Sequence, residues 1–178
     1  KNKTTRVILE GPDNVGKSNI AQALSLQLSV PVYKSGREHE LFNKQDAQYN
    51  SLVYANYEML KLIQVCNVSI IFDRFFPSEF VYSRVYDRRS DENVIRQYDE
   101  WWHDLNGVIV FLDKPTMDGT DELIVADKYY SIRREYATYR KITACKNIQI
   151  DTTNYDLEQQ IRTIIQFISG GEKNEYIQ

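Results

Sequence analysis

The stretch Arg6–Ser18, RVILEGPDNVGKS, constrains this chain more than any other. Its first five residues, Arg6–Glu10, are apolar and β-branched enough to read as a short buried strand. The next eight, Gly11-Pro12-Asp13-Asn14-Val15-Gly16-Lys17-Ser18, satisfy the pattern GxxxxGK[ST]. A helix is expected over Lys17–Leu28, because Ile20, Ala21, Leu24 and Leu28 fall on one face. A turn of this kind between strand and helix is an anion nest, with successive backbone N–H groups pointing inward. The helix adds its free N-terminal N–H groups and the positive end of its dipole. Gly11 and Gly16 permit backbone angles and close approaches that a Cβ would block. The expected ligand is therefore ATP, its phosphates held by Gly11, Asn14, Val15, Gly16, Lys17 and Ser18. Lys17 brings charge to the β- and γ-phosphates, and the Ser18 hydroxyl is a ligand for Mg²⁺.

The rest of the sequence alternates apolar runs with helix-period segments. Strands are expected at Val30–Ser35, Ser69–Asp73, Gly107–Asp113 and Asn147–Asp151, besides the first. Helices are expected at Gln45–Gln64, Glu92–Leu105, Glu122–Ala144 and Leu157–Ile168. Apolar strands alternating with helices imply a parallel sheet covered on both faces. The fold class is α/β: a doubly wound, five-stranded parallel sheet. One domain is expected over residues 1–170, with a short lid segment at about 114–128 and a C-terminal tail at 171–178.

Ligands of such sheets bind beyond the carboxyl ends of the strands, so the residues there matter most. Asp73 and Arg74 follow the third strand, which in this topology commonly lies beside the first. Asp73 then faces the Mg²⁺ site, and Arg74 offers a planar fork to a phosphate. After the fourth strand, the polar segment Asp113–Glu122 has the composition of a lid over phosphates. On the helix that follows, Val125, Tyr129, Ile132, Tyr136 and Tyr139 form a buried stripe. Arg133 and Arg134 fall off it, as transition-state donors or as a solvated basic face. In the second helix, Tyr49, Val53, Leu60 and Ile63 form an apolar seam, and Asn56 continues their spacing. That amide needs partners, either internal ones or the edge of a nucleobase with a stacked ring nearby.

Composition narrows the classes. A net charge of -3 provides no global attraction for long nucleic acid, so any anion site must be local. Cys66 and Cys145 form no CxxC pair and His39 and His103 stand alone, so zinc spacing is absent and two reduced, mostly buried thiols are expected. No apolar run has the length of a membrane span, and no signal-peptide pattern opens the sequence. A cytoplasmic setting is the expectation.

These pieces together resemble the thymidylate kinase-like branch of the P-loop nucleoside and nucleotide kinases. EGPDNVGKS is similar to that branch's E-G-x-D-x-x-G-K-[ST] loop, Asp73-Arg74-Phe75 to its D-R-[YF], and YYSIRREYATY to the helix after its lid. Their spacing covers most of the chain and is especially similar to the compact forms met in viruses of bacteria. The resemblance implies transfer of a phosphoryl group from ATP, with Mg²⁺, to a deoxynucleoside monophosphate, the expected class being pyrimidine ones such as dTMP, dUMP or a modified analogue. It implies that Glu10, Asp13, Arg37, Tyr54, Asn56, Tyr57 and Arg74 bind the acceptor. Catalysis would fall to Lys17, Asp13, Asp73, Arg74, Arg133 and Arg134, with Ser18 and Asp73 at the metal. It also implies a homodimer in the host cytoplasm. Glu10 matches the residue that deprotonates a sugar hydroxyl in the related deoxynucleoside kinases, which is the alternative reading. A slow nucleotide-hydrolysing switch is a third, although no glutamine follows Asp73-Arg74 closely to position a water. The sequence departs from the family where a catalytic arginine is usual. Asn14 occupies the P-loop position, Thr116–Glu122 contains no arginine, and Glu58 stands where a base-contacting arginine is common. The missing charge must come from Arg133, Arg134, Lys128, Arg84, Arg88 or Arg89.

Overall fold

The computed structural model describes residues 4–116 and 123–170. Five strands, β1 (Arg6–Glu10), β2 (Val32–Lys34), β3 (Ile70–Asp73), β4 (Val108–Asp113) and β5 (Lys146–Asp151), form one sheet. Their order is β2-β3-β1-β4-β5, and every pairing is parallel. The doubly wound, five-stranded parallel architecture is as expected. Chain order reverses around β1, so the loop after β1 opens at the topological switch point. Leu9 pairs with Asp73 on one side of β1, and Glu10 with Phe111 on the other. This register sets the carboxylate that ends β3 beside the start of the phosphate loop.

All five residues of β1 are buried, because helices cover both faces of the sheet. Side chains alternate between the two cores. Val7 and Leu9 pack with Ile20, Ala21 and Leu24 of α1 (Lys17–Leu28) and with Ile161 and Ile164 of α7 (Leu157–Ile168). Ile8 packs on the other side with Phe72, Phe76, Trp102, Tyr136 and Tyr139. That second core is built by α3 (Asn56–Cys66), α4 (Phe76–Val85), α5 (Glu92–Asp104) and α6 (Leu123–Ile142). On α6, Tyr129, Ile132, Tyr136 and Tyr139 are buried as their spacing predicts. The side chain of Val125 lies outside the described residues, as do 117–122 of the expected lid and the tail 171–178. Helix α6 already runs from Leu123, so the C-terminal part of the expected lid segment is helical.

Two features depart from the sequence pattern. The first is α4, which no helical spacing announced: FPSEFVYSRV is buried at Phe76, Pro77, Phe80, Val81 and Ser83, on more than one face. A helix wedged between neighbours loses the polar–apolar contrast that reveals amphipathic ones. The second is in the helix expected over Gln45–Gln64. It is α2 (Ala47–Asn50) and α3 joined by a π-helical turn at Ser51–Ala55. The Val53 carbonyl within that turn accepts the Tyr98 hydroxyl at 3.1 Å. The wider turn changes the phase of the buried face. Ser51, Leu52, Asn56, Leu60 and Ile63 are buried, whereas Tyr49 and Val53 are only half-buried. Cys145 is buried and Cys66 exposed, both free, so the expectation of two buried thiols holds for only one.

Candidate active site

The phosphate loop leaves β1 at Gly11, whose φ is 149°. A Cβ built there would come within 2.2 Å of the Leu112 carbonyl oxygen, so only glycine lets the loop lie against β4. The loop re-enters helix at Gly16, which has φ 89°. Inside it, the Lys17 ammonium donates to the carbonyls of Gly11 (3.0 Å) and Pro12 (2.6 Å). Lys17 is buried, and burial, with Arg74 nearby, lowers its pKa to about 8 although Glu10, Asp13 and Asp73 oppose the drop. One residue on, the Ser18 hydroxyl donates to Asp73 Oδ2 at 2.7 Å. Ser18 at the start of α1 and Asp73 at the tip of β3 thus converge.

Arg74 begins the crossing from β3 to α4 in the left-handed region, at φ 69°. A non-glycine residue there is strained, by an amount on the order of 1–3 kcal/mol. The strain is held by its N–H on the Leu9 carbonyl (3.0 Å) and by the next N–H, of Phe75, on Glu10 Oε1 (2.9 Å). The guanidinium donates to Asp13 (2.6 Å), to the Tyr82 hydroxyl (2.9 Å) and to the Tyr136 hydroxyl (3.2 Å). Burial alone would lower the Arg74 pKa; Tyr136, Tyr82, Glu10 and Asp13 together outweigh it and push it up. Arg74 therefore stays charged.

Glu10 is fully buried. Besides the Phe75 N–H, it accepts the Ser78 hydroxyl at 2.6 Å and the Tyr136 hydroxyl at 2.9 Å. Burial raises its pKa, against the opposing pull of Arg74 and these hydrogen bonds. The carboxylate ties β1 to α4 and α6 and opens onto none of the clefts at the strand ends.

Three clefts surround the phosphate loop. The first, about 390 Å³, is lined by Asp13, Asn14, Lys17, Ser18, Lys34 and Asp73 among others. The second, about 250 Å³, runs between α4 and the π-helical turn, past Glu38, Asn56, Phe75, Ser78, Glu79 and Arg88. The two share Asp13, Ser35 and Arg74. The third, about 320 Å³, lies on the other side of Gly11 and Pro12, against β4 and α6.

The predicted residues sort themselves among these clefts. Gly11, Asp13, Asn14, Val15, Gly16, Lys17 and Ser18 form the loop, with Asp73 and Arg74 beside it. Asn56 lines the second cleft, 7% exposed, and its side-chain amide has no hydrogen-bond partner among the described residues. Tyr54 and Tyr57 lie elsewhere: Tyr54 is exposed, and Tyr57 packs edge-on against Trp101. The resemblance implies that they bind the acceptor with Asn56, but they occupy the outer face of the helix. Arg37 is exposed and lines none of the three clefts, although Gly36 and Glu38 beside it line the second. Arg133 and Arg134 line the third cleft, not the second. Arg133 is engaged bidentately by Asp113 at the tip of β4, at 2.7 Å twice, and also donates to the Pro115 carbonyl at 3.1 Å. Arg134 is exposed there. Arg84 pairs with Glu92 and Glu135, Arg88 with Glu79, and Arg89 with Asp46, while Lys128 donates to the Val85 carbonyl.

Sequence reasoning missed several lining residues. Lys34 and Ser35 stand at the carboxyl end of β2, where the strand-end rule points, had it been applied to that short strand. Glu38, buried, accepts from Ser35, the Gly36 N–H, Ser51 and Tyr33, and so fixes the wall that the first two clefts share. Burial would raise its pKa, but the hydrogen bonds it accepts hold it below the usual carboxylate range. Ser78, Glu79 and Tyr82 escaped with α4 itself.

The fold has relatives among solved structures. No family model and no curated protein matches the sequence. The YorR protein of Bacillus subtilis, solved in complex with phosphorylated GDP, superposes with a TM-score of 0.71 at 21% identity, over 93% of this chain and 96% of that one. A thymidylate kinase from Candida albicans gives 0.59 at 18% identity, over 94% and 92%. A deoxyadenosine kinase from M. mycoides, with dCMP and a flexible dCDP bound, gives 0.57 at 17% identity, over 93% and 99%. A phosphate loop at the switch point of a β2-β3-β1-β4-β5 sheet is thus, over nearly its full length, the fold of the thymidylate kinase-like nucleotide kinases.

Proposed function

We propose that this chain is a nucleotide kinase that moves the γ-phosphoryl of ATP to the 5′-phosphate of a deoxynucleoside monophosphate, pyrimidine ones being the class that the sequence suggests. The observation that carries this reading is the meeting of two clefts along the Asp13–Arg74 pair. Donor phosphates fit the loop with Lys17, and the second cleft has room for an acceptor whose phosphate reaches Arg74. The fold's likeness to nucleotide kinases supports it, since two of those relatives hold nucleotides in their structures.

The donor set suits Mg²⁺. Ser18 and Asp73 offer hard oxygens 2.7 Å apart, and Mg²⁺ commonly takes one or two protein oxygens and keeps its waters. When bound there it neutralises the charge on the β- and γ-oxygens. The chain's own residues position the reactants. Loop N–H groups and Lys17 fix the donor phosphates, while Arg74 turns the acceptor phosphate toward them. Phosphoryl transfer needs little covalent chemistry from the protein, so positioning and charge neutralisation account for most of the catalysis. Arg133 and Arg134 flank the loop from the third cleft, and Arg133 reaches a phosphate only by exchanging Asp113 for it.

Glu10 as the base of a deoxynucleoside kinase is disfavoured by its burial and its three hydrogen bonds. Incubation with ATP and a panel of nucleosides and monophosphates tests the proposal. Diphosphate from monophosphates, with nucleosides inert, is expected. Monophosphate formed from a nucleoside would overturn it.

A further inference from the structure

Among the described residues, three buried side-chain polar atoms have no hydrogen-bond partner: Glu79 Oε1, Arg88 Nε and Ser90 Oγ. All belong to α4 or the turn that follows it. Buried polar groups are normally paired, and a buried orphan costs roughly 1–3 kcal/mol. Three together in one short segment suggest a partner that comes and goes. Glu79 and Arg88 both line the second cleft, as does Asn56. Their other ends already meet, Arg88 Nη2 to Glu79 Oε2 at 3.4 Å. The pair therefore leaves one buried acceptor and one buried donor unsatisfied, on two residues that line the cleft.

Such a pair complements a flat edge with a donor next to an acceptor. Two kinds of base edge qualify. In an amino edge, an exocyclic N–H lies beside a bare ring nitrogen, as in cytosine and adenine. In the imide edge of thymine and uracil, the N–H is flanked by two carbonyls. A carboxylate oxygen facing an imide N–H is repelled by the carbonyl lone pairs on both sides. Facing an outer amino group it has a lone pair on one side only. Arg88 Nε then donates to the ring nitrogen. Specificity gained by repelling the wrong partner is a common device.

We infer that Glu79 and Arg88 are the specificity-determining pair for the acceptor base, and that they select an amino edge of the cytosine or adenine kind over the imide edge of thymine or uracil. This rests on the second cleft being the acceptor site, and it departs from a thymine-type acceptor.

The test measures binding to the whole protein by calorimetry, at pH 8, for dCMP, dAMP, dTMP, dUMP and dGMP, and turnover of each with ATP in parallel. Amino-edge nucleotides are expected to bind about tenfold or more tightly than dTMP and dUMP. Glu79→Gln preserves size but can donate as well as accept, and should reduce that ratio to about unity. Arg88→Lys keeps the charge without Nε–H and should weaken amino-edge binding selectively, with ATP binding unchanged. The relative order of dCMP and dAMP tells which ring bears the edge. Equal or tighter binding of dTMP or dUMP by the unmodified protein overturns the inference. So does a uniform loss across all bases in both variants, which is the mark of a merely structural ion pair. Selective binding without turnover leaves the inference standing and defeats the kinase reading instead.

Discussion

Asp13 and Arg74 form a 2.6 Å ion pair where the first and second clefts meet. Asp13 comes from the phosphate loop and Arg74 from the residue after β3. Asp13 is 77% exposed, so the pair adds little stability, about 0–1 kcal/mol. On the proposed function its value is in aim: it would hold a guanidinium at the boundary until a phosphate competes for it. Asp13→Asn should therefore leave the melting temperature nearly unchanged while altering acceptor kinetics.

Arg74→Lys should raise the KM for the monophosphate by roughly 10–100-fold, the equivalent of the 1.5–3 kcal/mol of a charge-assisted hydrogen bond. The KM for ATP should move far less. Steady-state kinetics with each substrate varied in turn separate the two, and equal loss on both would place Arg74 in the donor site instead.

On the proposed function, Lys17 should make ATP binding pH-dependent. Burial lowers its pKa to about 8 when no phosphate is present. Its phosphate-binding form is the charged one, so ATP affinity should fall as pH rises through about 8, and binding near that pH should take up protons. The stability of the ligand-free protein moves the other way. Between about 8 and the ordinary value of 10.5 the unfolded chain holds more protons, so stability rises with pH. Calorimetry in buffers of different ionisation enthalpy reads the uptake. Lys17→Ala should abolish turnover, a loss of roughly 10²–10³-fold or more; an active variant would contradict the donor-site assignment.

Glu10→Ala strands the Phe75 N–H and two hydroxyls in the core. Each stranded group costs about 1–3 kcal/mol, so chemical denaturation should show a large destabilisation. Glu10→Gln should keep most of the fold, since one amide oxygen still accepts, and should retain measurable kinase activity. Complete loss of activity in a folded Glu10→Gln protein would favour the catalytic-base alternative.

Glu79 makes stability fall with pH. Burial raises its pKa to about 7, partly opposed by Arg88 from the turn after α4. A raised carboxyl pKa stabilises the fold fully below the ordinary value of 4.5, and that contribution is lost as pH rises through about 7. Arg74, Tyr82, Glu38 and His39 face the same cleft. Urea midpoints between pH 4.5 and 8 should decline in the native protein and decline less in Glu79→Gln.

The sheet and the glycine-lysine-serine loop were legible because each rests on local chemistry. Apolar β-branched runs mark the buried strands, and the spacing from Gly11 to Ser18 implies a nest whatever surrounds it. Asp73 was found through topology, since a third strand placed beside β1 brings its end residue to Ser18. The second cleft was mostly illegible. Its wall is α4, whose burial on more than one face erases helical periodicity, and Ser78, Glu79 and Tyr82 are invisible without that helix. Tyr54 and Tyr57 were misplaced because neighbours in sequence point in different directions on a helix. Arg133 was correctly set off the buried stripe, but no spacing rule reveals that Asp113 holds it.

The π-helical turn at Ser51–Ala55 acts as a phase setting for everything N-terminal to it. With about 3.6 residues per turn, removing one residue there would rotate the preceding turns by about 100° relative to α3. Ser51 would swing off Glu38, the wall of the second cleft would lose its anchor, and Leu52 would turn toward water, while the strands and the phosphate loop stayed as they are. Length in this segment is thus a variable separate from composition: a single-residue deletion would reshape the second cleft in a protein that keeps its sheet and its phosphate loop.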